Sequence, residues 1–123
     1  MTFTRLDIPD VILCKPTIFK DERGSFLESY RHDKLCDFIG YNIKFCQSNQ
    51  SKSILGVLRG LHYQLPPYAQ TKLVHVVKGS ALDVVVDIRK GSPTFSKHLS
   101  VELSEKNNYQ LFVPRGFAHG FIA

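Results

Sequence analysis

Turn-forming residues divide this chain so often that no long helix fits between them. Asp21-Glu22-Arg23-Gly24, Lys78-Gly79-Ser80, Glu105-Lys106-Asn107-Asn108 and Pro114-Arg115-Gly116 are the clearest breaks. The stretches they bound are short and read as strands: 25–30, 43–48, 71–77, 81–88, 98–103, 109–113 and a further one beginning at Phe117. Many short strands joined by Gly, Pro and Asn turns predict an all-β fold, an antiparallel sandwich or barrel. The breaks at 78–80 and 105–108 read as hairpin turns. One short helix is expected, capped by Asp33, with Leu35, Phe38 and Ile39 on its apolar face and Gly40 at its end.

The strand over 81–88 divides by face. Leu82, Val84, Val86 and Ile88 fall on one side and read as the core face. Asp83, Val85 and Asp87 fall on the other, a mixed surface suited to a polar pocket or to solvent. The chain has 123 residues, 43% of them hydrophobic, which predicts a single domain over 1–123 with an adequate core. The net charge of +5 favours an anionic partner, but its 16 Lys and Arg form no basic run. A small anionic ligand is therefore expected, and neither nucleic acid nor membrane. Cys14, Cys36 and Cys46 make an odd count without a CxxC pair, so buried or free thiols in a reducing cytoplasm are expected. The N-terminus has no signal-peptide pattern, and a soluble cytoplasmic protein follows as the expectation. Phe121-Ile122-Ala123 ends the chain on an apolar strand and reads as a C-terminal truncation that leaves a barrel edge unpaired.

Chemistry centres on Arg59-Gly60-Leu61-His62-Tyr63-Gln64. In a regular strand Arg59 and His62 point to opposite faces, because their separation is odd. A glycine inside a strand often marks a bulge, and a bulge at Gly60 or Leu61 would bring both side chains to one face. Lys72 alternates with Val74 and Val76, so it shares an apolar face and must reach an anion, reach water or lose its charge. An ammonium there can stabilise negative charge developing on a substrate oxygen. Imidazole is a suitable base near neutral pH, which makes His62 the candidate for proton abstraction. His119 closes a PxGxxH element at 114–119, which resembles the second motif of cupins, small jelly-roll barrels that usually bind a metal through that histidine and an upstream HxH pair. The upstream element here is His62-Tyr63-Gln64, with a single imidazole, so metal-free chemistry is expected.

Together these motifs resemble the dTDP-4-dehydrorhamnose 3,5-epimerases, deoxysugar-nucleotide epimerases of the cupin superfamily. The similarity runs through Asp21 to Gly24 with Phe26, Glu28 and Tyr30, then Gln47, Asn49, Ser51 and Lys52, the His62 segment, and Gln70 with Lys72. It continues through Asp83, Asp87 and Arg89, then Ser92 to Phe95, Gln110 and Pro114 to Phe121. The resemblance implies a cupin-type jelly roll and a cofactor-free reaction. A 4-keto-6-deoxy sugar linked to dTDP would be deprotonated and reprotonated at C3 and C5 through an enolate, giving dTDP-4-dehydro-L-rhamnose. It implies His62 as the base and Lys72 as the enolate stabiliser, with His119 and Arg59 as contacts to sugar or diphosphate. Arg23, Phe26, Glu28, Gln47 and Asn49 would contact the nucleotide and sugar, some of them from a partner in a homodimer built by strand exchange. It also implies that the tyrosine acid and the aspartate orienting the base lie beyond position 123; Tyr30, Tyr41, Tyr63, Tyr68 and Tyr109 do not occupy the acid's place in the motif order. The alternative is a non-catalytic dTDP-sugar-binding jelly roll.

Overall fold

A computed structural model describes residues 1–64 and 69–123; Tyr68 lies outside the described residues. Ten strands and one helix follow in order: β1 (Thr2–Arg5), β2 (Ile12–Lys15), β3 (Ile18–Asp21), β4 (Gly24–Leu27), α1 (His32–Ile39), β5 (Leu58–His62), β6 (Lys72–His75), β7 (Ser80–Asp87), β8 (His98–Ser104), β9 (Gln110–Val113) and β10 (Phe117–Ile122). The first sheet has the order β1-β2-β9-β6 and the second β5-β10-β7-β8, while β3 and β4 pair only with each other. Every pairing is antiparallel.

The breaks at 78–80 and 105–108 are not hairpins. Each carries the chain from one sheet to the other, β6 to β7 and β8 to β9. That alternation makes the fold a jelly-roll sandwich. A tight turn dictates that the chain reverses, but not which strand it then bonds. β1, β2 and β3 were not foreseen, being four residues each with weak alternation. Conversely, 43–48 forms no strand. Ile43 is buried under the helix with Leu35, Ile39 and Phe112, and Phe45 meets the ring of Tyr30 edge-on. These residues gain apolar contacts without finding a backbone partner.

Two cores result. Between the sheets, Leu111 and Val113 of β9 pack with Val85, Leu103 and Phe117, together with Ile8 and Val11. On the outer side of the first sheet, Ile12, Cys14 and Phe112 are covered by Leu35 and Ile39 of α1. Burial pushes the Cys14 thiol up to about 12, and all three cysteines are free. The helix ends at Gly40, as expected, in the left-handed conformation, where its N–H donates to the Cys36 carbonyl. Its cap is Arg31, not Asp33; Asp33 sits in the first turn, where a carboxylate suits the positive end of the helix, and pairs with Arg31 at 2.7 Å.

The faces of β7 are reversed from the core assignment. Asp83, Val85 and Asp87 point inward, at 1%, 0% and 0% exposure, whereas Leu82 on the other face is 41% exposed. Asp87 is satisfied there by Arg89, Ser92 and Thr94. Arg89 also pairs with Asp10 and lies over the Phe117 ring, 4.6 Å from its centre. Burial raises the carboxyl's pKa, but the bonds from Arg89, Thr94 and Ser92 outweigh it and hold Asp87 well below the usual carboxylate range. The terminal strand is no open edge. β10 lies between β5 and β7, and Ala123 exchanges backbone bonds with Val57 and Gly56 at 2.9 and 3.0 Å.

Candidate active site

Three of the candidate residues, Arg59, His62 and His119, gather on the inner face of the second sheet. Across β10, His119 stands opposite His62, and Phe121 opposite Arg59. Two residues on β10 therefore span three on β5, so β5 bulges at Gly60–Leu61. The bulge puts Arg59 and His62 on one face, as the glycine suggested. It is possible because the strands nearly touch: a Cβ on Gly120 would lie 2.5 Å from the Arg59 carbonyl oxygen, and one on Gly60 would lie 2.5 Å from the Gly120 Cα.

His119 is 8% exposed, and its Nε2 lies 2.6 Å from Oδ1 of Asp83. Asp83 comes from β7, in register with Phe121. Its second oxygen, Oδ2, is buried without a hydrogen-bond partner among the described residues. A buried acceptor left open in this way is costly in a closed core and useful in a cavity that takes a polar guest. Asp83 was not singled out as a site residue in the sequence. The signal was present, because an aspartate between Leu82 and Val84 in an apolar strand demands a partner if its face turns inward. The carboxylate orients His119, not His62.

Lys72 lies opposite Val113 in the first sheet, and Val74 opposite Leu111. Since Leu111 and Val113 pack between the sheets, Lys72 stands on the inner side, half-buried. His62 and Arg59 sit on β5, an edge strand exposed along its length. The sandwich thus brings His62, Arg59, His119 and Lys72 to its inner surfaces.

The remaining predicted contacts are elsewhere. Arg23 lies at the tip of the β3–β4 hairpin, paired with Asp21 at 2.6 Å. Its guanidinium, followed by the hydrogen bond from its own backbone N–H, holds the Asp21 carboxyl below its usual range. Phe26 lies opposite Phe19, and the two are 69% and 63% exposed. A shallow surface concavity of about 500 Å³ is lined by this hairpin, including Arg23 and Phe26. Glu28 follows β4, 3.9 Å from Arg31. Gln47 and Asn49 lie on an irregular exposed segment, bonded to each other at 3.1 Å. Among the described residues, no group of three or more His, Cys, Asp or Glu side chains has a metal-holding arrangement.

A double-sheet jelly roll with imidazoles, a lysine and an arginine on its inner surfaces defines a cupin-type fold. The chain belongs to the dTDP-4-dehydrorhamnose 3,5-epimerase family, whose sequence profile matches residues 5–123. The dTDP-4-dehydrorhamnose 3,5-epimerase of Shigella flexneri is 54% identical over 121 residues, covering 98% of this chain and 67% of that protein. The crystal structure of the Legionella pneumophila dTDP-6-deoxy-D-glucose-3,5-epimerase in complex with dTDP-4-keto-L-rhamnose superposes with a TM-score of 0.94 at 44% identity, covering 99% of this chain and 64% of that one. A 3′-monoepimerase from Streptomyces bikiniensis in complex with dTDP-quinovose gives 0.90 at 34% identity, covering 96% and 60%. The chain therefore spans about two thirds of the length of its relatives, 67% of the Shigella protein and 64% of the Legionella structure.

Proposed function

We propose that this protein converts dTDP-4-dehydro-6-deoxy-D-glucose to dTDP-4-dehydro-L-rhamnose by exchanging protons at C3 and C5, a step in dTDP-L-rhamnose formation. The observation that carries this reading is the convergence of His62, His119–Asp83 and Lys72 on the inner surfaces of one sandwich. Protons beside a ketone are weakly acidic, so a base alone is not enough. His62 removes the proton, and the Lys72 ammonium stabilises the charge that moves onto the C4 oxygen. The ketone is the electron sink, so the reaction balances without a cofactor. His119, held by Asp83, contacts the sugar. Arg59 meets the diphosphate, for which a planar guanidinium is better shaped than an ammonium.

Arg23 and Phe26 line only a shallow surface concavity with their own hairpin, and Glu28, Gln47 and Asn49 are exposed. Exposed aromatics on a hairpin that pairs with neither sheet suit a segment exchanged between two copies. The reading therefore includes a homodimer in which each β3–β4 hairpin reaches the partner's site. It further includes one domain over 1–123 and a cytoplasmic location. No helix among the described residues is long and apolar enough to cross a membrane.

A second reading, a dTDP-sugar-binding protein without turnover, has one observation in its favour. Among the described residues, no tyrosine hydroxyl bonds to His62, His119 or Lys72. Incubating the 4-keto sugar nucleotide in deuterium oxide separates the two. Label entering C3 and C5, and lost by at least ~10²-fold in His62→Ala, supports the epimerase. Binding of dTDP with no label supports the second reading, and full exchange by His62→Ala removes His62 as the base. Label at C3 alone would indicate a monoepimerase.

A further inference from the structure

Gln110 plays no part in the chemistry above, yet it is a polar side chain only 4% exposed. It lies in β9, opposite Cys14 of β2 and His75 of β6. Leu111 and Val113 take the face between the sheets, so Gln110 shares the outer face with Phe112. There its Nε2 donates to the Ser29 carbonyl at 2.7 Å, across 81 positions of sequence. Ser29 lies just beyond β4, at the root of the β3–β4 hairpin.

That hairpin bonds to neither sheet, so strand pairing does not set its angle. Two other polar contacts lie at its base among the described residues, from the terminal ammonium of Met1 to Thr17 Oγ1 at 3.4 Å and from Arg31 to Glu28 at 3.9 Å, and both are long and solvated. A long, solvated bond constrains little, whereas a short, part-buried one from a buried carboxamide holds its acceptor firmly, because the alternative leaves the Gln110 donor unsatisfied.

We infer that Gln110 is a positioning residue, whose carboxamide clips the hairpin root to the first sheet and so fixes where Arg23 and Phe26 are presented. This rests on the reading that the hairpin contacts a nucleotide sugar. A glutamine that merely satisfied its own burial would support β9 and leave the hairpin alone.

The test compares wild type with Gln110→Met, which keeps the length and removes the donor, using amide exchange and titration with dTDP. Exchange should quicken across 18–27 while the amides of β7 and β10 keep their protection. The Kd for dTDP should rise about tenfold, the weight of one lost hydrogen bond. In an Arg23→Ala background the same change should add less than about twofold, since both act through one element. Unchanged exchange at 18–27, or a full tenfold loss on top of Arg23→Ala, overturns the inference. Should Arg23→Ala leave dTDP affinity untouched, the nucleotide role of Arg23 fails, while exchange at the hairpin still decides Gln110. Gln110→Leu, uncharged and without the donor, supplies the same readings if the methionine variant does not fold.

Discussion

Replacing Gly120 with alanine should damage the site out of proportion to its size. Gly120 lacks the positive φ of Gly60, so its alanine variant carries no backbone strain and isolates the steric term. The new Cβ would lie 2.5 Å from the Arg59 carbonyl oxygen and 3.0 Å from the Gly60 Cα. Ordinary carbon–oxygen contacts are about 3.3–3.6 Å, so β5 must retreat by about 1 Å. Both obstacles are backbone atoms and cannot swing aside. Overpacking of this kind costs roughly 1–3 kcal/mol. For a chain this size that is a fall in Tm of roughly 4–12 °C. The retreat takes His62 and Arg59 with it, and about 1 Å of misplacement costs on the order of 10²-fold in rate. Thermal melting and deuterium uptake into the 4-keto sugar measure the two effects. Unchanged melting together with unchanged uptake would refute the close approach of β5 and β10, and with it the account of how the bulge sets the site.

Asp83→Asn separates function from stability. The amide weakens a charge-assisted contact worth about 1.5–3 kcal/mol, but it also relieves a buried carboxylate of its desolvation. Deuterium uptake should fall while Tm stays level or rises; a large loss of Tm with full uptake would make Asp83 a packing residue. Asp87→Asn addresses acid stability. Because folding depresses the Asp87 pKa, its contribution is complete above the unfolded value of about 3.9 and is lost as pH falls toward the folded one. Urea unfolding at a series of pH values should show wild type more stable than the variant at neutral pH, with the gap closing below about pH 4. A gap constant with pH contradicts the linkage.

Much of the placement of the candidate residues was legible because its cues are local. A glycine within Arg59–His62 signals a bulge whatever the fold, and alternation places Lys72 with Val74 before any sheet is known. The fold class was equally legible from the turns. What the sequence hid is decided by partners distant along the chain. The apolar residues of β7 suggested Leu82, Val84 and Val86 as core, but the inward positions went to Asp83 and Asp87. Apolar counting presumes an oily interior, and this one is polar where His119 on the adjacent strand β10 meets Asp83 and where Arg89, two residues on, meets Asp87. The two false hairpins have the same origin. Gly79 permits the reversal, yet Ser80 finds its partner in Ser104, in the next strand along.

The inner face of the second sheet changes character from one edge to the other. At β8 it is Leu99, Val101 and Leu103, at β7 and β10 it mixes Val85 and Phe117 with Asp83 and His119, and at β5 it is Arg59 and His62. Local opening follows burial, and a segment without buried apolar side chains separates at a far lower free energy than one inside the core. β8 is fastened by Leu103, at 1% exposure, whereas β5 has no buried residue and depends on its backbone pairing with β10. The sandwich therefore behaves like a book bound at the β8 margin and free to part at the other. By that principle opening begins at the margin that carries His62, and a ligand bound there would resist it.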